Sequence, residues 1–90
     1  MKTIRQIRLE RLSTIAAQNV ANSENEILKL YESFEDGIIQ ANKARRIFAG
    51  LCTAFIIDLK RYNAIKIAID PDCTVENPKF WENHYCSIFA

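Results

Sequence analysis

Apolar residues recur every three or four positions over residues 2–21, a spacing that predicts an amphipathic helix. Arg5, Arg8 and Arg11 follow one another in steps of three and predict a basic stripe along another side of this helix. The side predicted to be buried consists of Ile4, Leu9, Leu12, Ile15, Ala16 and Val20.

The clearest local signal follows directly, at Asn22 and Ser23, where the helical pattern is interrupted. Ser23 and Glu26 have the spacing of a capping box, in which each side chain satisfies the backbone amide of the other residue. A second helix is therefore expected to begin at about Glu24, with its acidic first turn at the positive end of the helix dipole. Its predicted buried side carries Ile27, Leu30, Tyr31 and Phe34.

Gly37 leaves two alternatives for the end of this second helix. It can terminate the helix as a left-handed C-cap residue, or the helix can continue, because Ile38, Ala41, Arg45 and Phe48 keep the spacing. A glycine inside a helix costs about 1 kcal/mol relative to alanine, which packing can offset. The alternatives are closely balanced, and we favour continuation.

Residues 51–68 are the most apolar segment and predict a central helix that is buried on more than one side. Gly50 is expected to mark the junction before it, either as a break or as a point of close helix approach. Asp58 interrupts the apolar face, and we expect it to form a structural ion pair with Arg61 or Arg46.

The C-terminal segment, residues 64–90, is ambiguous. Isoleucines alternate with other residues over 65–69, which is strand periodicity, and Pro71 disfavours helical geometry at the residue before it. Asn77 and Pro78 have the form of an N-cap and first turn of a short helix. The competing interpretation is a β-ribbon that pairs residues 64–69 with 84–89. The predicted fold is therefore a mainly α, compact bundle of three to four helices in a single domain, residues 1–90, ending in a short helix or a small β-ribbon.

Composition and charge add limits to this picture. Hydrophobic residues make up 49% of the 90 residues, with two glycines and two prolines, which argues against disorder and supports one core. The formal net charge is +1, but charges of opposite sign occur in alternating blocks, which we expect to attract one another in the fold. The near-neutral total argues against a dedicated nucleic-acid binder.

Three cysteines, Cys52, Cys73 and Cys86, cannot all pair within one chain, and no apolar signal segment follows Met1. Both observations favour reduced thiols and a cytoplasmic location. The longest apolar stretch, residues 51–57, is far too short to span a membrane.

Three groups of residues are candidates for binding a partner. The first two are basic clusters, which charged helix faces in solvent would equally explain. The third is an aromatic group near the chain end, which is either a lid on the core or an interface anchor. The candidates are Arg5, Arg8 and Arg11; Lys43, Arg45 and Arg46; and Phe80, Trp81 and Tyr85.

Catalytic chemistry has little support in the sequence. His84 is the only histidine, and no pair of cysteines or histidines has zinc-ligand spacing, so we predict no metal, cofactor or catalytic residue. His84 and Cys86 are two positions apart, and on a helix their side chains would point in different directions.

The sequence therefore predicts a small, non-enzymatic protein–protein interaction module. We expect an inhibitor or regulator that binds a larger protein or nucleoprotein complex, and small helical proteins of this size often form homodimers. Phage- and plasmid-encoded accessory proteins, including those that disable host defence complexes, are similar in size and composition, which is an analogy and names no family. The alternative is a regulatory protein that binds nucleic acid through the two basic clusters.

Overall fold

The computed structural model describes residues 1–89, which form three helices and no strand: α1 (Ile4–Glu35), α2 (Ala41–Ile69) and α3 (Pro78–Ile88). The predicted mainly α bundle is confirmed. The ambiguity of the C-terminal segment is resolved in favour of a helix, because residues 64–69 complete α2 and α3 follows after a connection. Ala90 lies outside the described residues.

α1 begins at a capping box that the sequence analysis did not identify. The Thr3 hydroxyl accepts a hydrogen bond from the Gln6 amide at 3.1 Å, and the Gln6 side chain accepts one from the Thr3 amide at 2.8 Å. These reciprocal bonds satisfy two amides that the first turn leaves without helical partners.

α1 ends at Glu35, just before Gly37, so the favoured prediction that the helix continues through Gly37 was wrong. Gly37 has a φ of 74°, which a residue with a Cβ adopts only with strain. The Gly37 amide donates to the Phe34 carbonyl, and the Ile38 amide donates to the Ser33 carbonyl at 2.9 Å. These are the two bonds of a Schellman motif, which turns the chain towards α2.

Ser23 does not start a helix, and the predicted break at this position was also wrong. α1 passes through it without interruption, and the Ser23 hydroxyl donates to the Asp58 carboxylate of α2 at 2.5 Å. Asp58 is thereby paired with a hydroxyl; it forms no ion pair with Arg46 or Arg61, contrary to prediction. The Ser23–Asp58 hydrogen bond between α1 and α2 is thus present instead of the predicted cap at Ser23 and the predicted ion pair of Asp58.

Gly50 lies inside α2, and neither predicted role applies to it. α2 is continuous from Ala41 to Ile69, and a Cβ placed on Gly50 would have no neighbour within 4 Å.

The expected attraction between charge blocks does not take the form of ion pairs between helices. Within residues 1–89 the ion pairs are local: Lys2–Glu10, Lys29–Glu26 and Lys79–Glu82.

The molecule is an elongated helical hairpin, 54 × 19 × 16 Å, whose third helix covers one half. α1 and α2 pack against each other along their length, and α3 contacts α2. α3 begins beside Asn63, whose amide donates to the Glu76 carbonyl at 2.6 Å, and it ends where Arg45 donates to the Phe89 carbonyl at 3.1 Å. It therefore runs antiparallel to α2 over the half of the hairpin next to Gly37. The central position predicted for residues 51–68 is confirmed, and these residues belong to the longer helix α2.

The core lies under α3. Phe89 stacks on Phe48 with ring centroids 4.4 Å apart, and Tyr85 contacts Phe55 edge-on at 5.5 Å. In α1 no residue before Ala16 is buried. The buried cluster consists of Ile27, Leu30, Ala44, Phe48, Cys52, Phe55, Leu59, Tyr85 and Phe89.

Phe55→Ala should lower the free energy of unfolding by about 3–5 kcal/mol, because Phe55 is fully buried and its removal leaves a cavity. Phe80→Ala is the matched control, since 60% of this side chain is exposed, and it should cost less than about 1 kcal/mol. Urea unfolding followed by circular dichroism at 222 nm measures both. Equal losses would contradict the position of the core.

Ser23→Ala should lower the free energy of unfolding by about 1–2 kcal/mol, because it removes the hydrogen bond to the Asp58 carboxylate. Ser13→Ala provides the control in the same helix: Ser13 is half-buried, and within residues 1–89 its hydroxyl forms no hydrogen bond. Its replacement should leave stability unchanged or slightly raise it, because alanine favours helix. The same urea titration tests the pair.

Candidate functional site

Five residues in the first half of α1 form one continuous exposed surface, which we call the isoleucine–arginine face: Ile4, Ile7, Arg8, Arg11 and Ile15. Their spacing of three or four residues places them on one side of the helix. Ile4 is 80% exposed and Ile15 58% exposed. Large apolar side chains with this exposure at helical spacing form a patch instead of isolated surface residues.

The arrangement differs from the predicted one, in which Ile4, Leu12 and Ile15 were buried and the arginines lay on another side. All three apolar residues are exposed, and Arg8 and Arg11 lie among the isoleucines. Two other residues of the set predicted to be buried, Leu9 and Ala16, do lie on the side of α1 that packs on α2.

Ile7 was not predicted to be part of a site, although its spacing from the neighbouring candidates places it on the same side of the helix. Residues 4, 7, 8, 11 and 15 repeat with the same helical spacing as the residues predicted to be buried. The first half of α1 thus carries two overlapping stripes, and periodicity alone does not say which of them packs on a neighbouring helix.

The isoleucine–arginine face surrounds a shallow depression of about 290 Å³. Its lining residues, Ile4, Ile7, Arg8 and Arg11, all belong to α1, so the depression opens away from α2. Neither guanidinium forms an ion pair with any residue from 1 to 89. Unpaired guanidinium groups can bind a carboxylate or a phosphate through two parallel hydrogen bonds.

Arg5 is separated from the other two arginines. It lies at the end of the hairpin, in a second cleft that it lines with Lys2, Leu9 and Ile69. The predicted stripe of three arginines is thus divided between two surfaces.

The second basic cluster lies at the opposite end of the molecule. Lys43 and Arg46 are exposed at the start of α2, next to the connection from α1. Arg45 is committed to the fold, because its guanidinium donates to the Phe89 carbonyl at the end of α3. α1 is about 48 Å long, and the two basic clusters are separated by most of that length.

The aromatic group near the chain end has the position of a lid on the core. Tyr85 is buried, and burial together with the nearby Glu24 carboxylate raises the pKa of its hydroxyl. Trp81 is half-buried, and its indole donates to the Glu76 carboxylate at 2.9 Å. Of the three aromatic candidates for partner binding, Phe80 alone is exposed, and its ring stacks with His84 at 6.4 Å.

His84 and Cys86 are not brought together, as their helical spacing predicted. His84 contacts the rings of Phe80, Trp81 and Tyr85, whereas Cys86 borders a groove with Cys52 of α2. Within residues 1–89 there is no group of three or more histidine, cysteine or acidic side chains arranged to hold a metal ion. The same residues include no helix that is both long enough and apolar enough to cross a membrane.

No protein-family model, no curated protein and no solved structure matches this chain.

Ile7→Asp and Ile15→Asp should each change the free energy of unfolding by less than about 1 kcal/mol, because the isoleucine–arginine face contributes nothing to the core. Ile27→Asp, at a fully buried position of the same helix, should unfold the protein, since a buried unpaired carboxylate is strongly unfavourable. Thermal unfolding followed by circular dichroism distinguishes the three variants. Unfolding caused by the first two would show that this face is packed within the chain.

Proposed function

We propose that this protein is a non-enzymatic interaction module that binds a larger protein through the isoleucine–arginine face and thereby inhibits or regulates it. The observation that carries the proposal is the exposure of Ile4, Ile7 and Ile15 around two arginines without ion pairs. Apolar anchors beside unpaired guanidinium groups are the combination that protein interfaces use at their energetic centres.

The apolar part of this face favours a protein partner over a nucleic acid. Nucleic acids are bound mainly through contacts of basic and polar groups with phosphates, to which exposed isoleucine side chains contribute little. The two basic clusters also lie at opposite ends of the molecule, and Arg45 is used within the fold. They do not form one continuous basic surface.

The side chains of the isoleucine–arginine face indicate what kind of surface a partner must have. A complementary surface needs an apolar groove for the isoleucines and carboxylates positioned for Arg8 and Arg11. A helix that presents anchors at positions i, i+3 and i+7 fits a groove on a folded partner. Ile4, Ile7 and Arg11 stand at such positions. Arg8 and Ile15 extend the set over about three turns.

A second copy of the chain is a poorer occupant of this face. A two-fold contact through the same face would bring Arg8 and Arg11 of one copy towards those of the other, and like charges repel. The homodimer expected from the size of the chain would therefore use another surface.

A cytoplasmic site of action is part of the proposal, because Cys52, Cys73 and Cys86 are all free thiols.

The test captures partners from an extract of the native host with tagged protein and then measures the affinity of the purified partner by calorimetry. Ile7→Asp and Arg11→Ala should each weaken binding at least about 10-fold, since loss of an interface anchor typically costs more than 1 kcal/mol. Asn22→Asp and Lys29→Ala are the matched controls, because both residues are exposed polar residues in the second half of α1. They should leave the affinity within about 3-fold of wild type.

Two results of the binding measurements would contradict the proposal. One is a partner whose affinity is the same for the Ile7→Asp and Asn22→Asp variants, which would locate binding elsewhere. The other is micromolar or tighter binding to random-sequence DNA or RNA that weakens steeply with salt, which would favour the nucleic-acid alternative. Light scattering of the free protein identifies a dimer, and a dimer that Ile7→Asp dissociates would assign the face to a second copy.

A further inference from the structure

A groove between α2 and α3 contains two of the three cysteines. Cys52 lies on α2 and is buried, whereas Cys86 lies on α3 and is exposed. The groove has a volume of about 460 Å³ and is open to solvent along one side, with Phe48 and Ile56 among its apolar lining residues. Cys73 is in the connection between the two helices and does not line it.

Aromatic contacts on both sides set the register of the two helices at the cysteines. Phe48, one turn before Cys52, stacks on Phe89, which lies three residues after Cys86. Phe55, three residues after Cys52, contacts Tyr85, which immediately precedes Cys86. Because the helices are antiparallel, these two contacts bracket the thiols and place them opposite each other.

The electrostatic environment agrees with this proximity. Burial raises the pKa of the Cys52 thiol, and the neighbouring Cys86 raises it further through charge repulsion. Glu82 of α3 acts in the same direction, and Lys60 is the cationic residue that lines the groove. Cys52 therefore stays a thiol at neutral pH, and the exposed Cys86 is the accessible nucleophile.

We infer that Cys52 and Cys86 form a redox-sensitive pair that a low-molecular-weight disulfide, such as glutathione disulfide, converts into a covalent link between α2 and α3. In the first step the Cys86 thiolate attacks one sulfur of glutathione disulfide, and one glutathione thiolate leaves. In the second step the Cys52 thiol loses its proton and attacks the Cys86 sulfur of the mixed disulfide, which releases the second glutathione. Two protein thiols are oxidised to one disulfide, and one glutathione disulfide is reduced to two glutathione molecules.

The link would hold the lid on the core. α3 is a short helix, and it contributes Tyr85 and, through the residue after its end, Phe89 to the buried cluster. A disulfide at Cys86 closes a long loop back to α2 and restricts the unfolded chain, which stabilises the folded state. The isoleucine–arginine face lies on α1 outside this groove, so the inference is independent of the proposed partner.

The test treats reduced wild-type protein and the Cys73→Ser variant with glutathione disulfide at mildly alkaline pH, followed by intact mass measurement without reductant. The Cys73→Ser protein should lose the mass of two hydrogens without retaining glutathione, and the wild type should differ only by glutathione bound to Cys73. Digestion of both should yield a peptide pair joined through Cys52 and Cys86. The Cys52→Ala/Cys73→Ser double variant should instead retain one glutathione on Cys86. The oxidised Cys73→Ser protein should have a Tm at least about 5 °C above its reduced form, and reductant should reverse the increase.

Three outcomes would overturn the inference. Stable glutathione adducts on Cys86 in the wild type would show that Cys52 does not reach it. A disulfide that involves Cys73 or joins two chains would assign the oxidation to other thiols. A Cys52–Cys86 disulfide that lowers the Tm would show that the native arrangement has to be distorted to form it.

Discussion

An eleven-residue helix cannot cover a groove between two helices of about three times its length. This difference in length determines which half of the molecule has a covered core and which half stays exposed. α3 extends about 16 Å along a hairpin whose first helix extends about 48 Å. The half that α3 covers has a closed apolar core with stacked aromatic rings. The other half consists of two helices alone, and two helices leave most of each helical surface in contact with solvent.

Polar contacts decide where the third helix is placed. Asn63 and Arg45, both on α2, bind the backbone just before and just after α3. Between these two points the rings of Tyr85 and Phe89 enter the core. The same alignment of α3 with α2 brings Cys52 and Cys86 to the same groove. The cover over the core and the thiol pair therefore both result from the register of these two helices. The surface available to a partner lies at the other end, where nothing within residues 1–89 covers it.

Local sequence signals were reliable where neighbouring residues alone satisfy the backbone. Asn77 and Pro78 start α3 as predicted, and the Asn77 side chain accepts a hydrogen bond from the Lys79 amide. Ser23 shows the limit of such signals. Its spacing to Glu26 is that of a capping box, yet the hydroxyl bonds to Asp58 on another helix and α1 continues. A short-range motif cannot exclude a distant carboxylate that offers a better partner. The same limit applies to the candidate site, where the sequence identified the arginines but assigned the wrong surroundings to two of them.

The sequence by itself determined the helical class, the apolar central helix and the residue types that form the core, because amphipathic periodicity and helix-stop residues are properties of adjacent positions. Only the tertiary structure decided that Gly37 ends α1, that α3 covers one half of the hairpin, and that Ile4, Ile7 and Ile15 remain exposed. The physical reason is that burial depends on which neighbour is present. The two overlapping stripes of α1 are equally regular, and the one that contacts α2 becomes buried, while the one without a neighbour becomes surface.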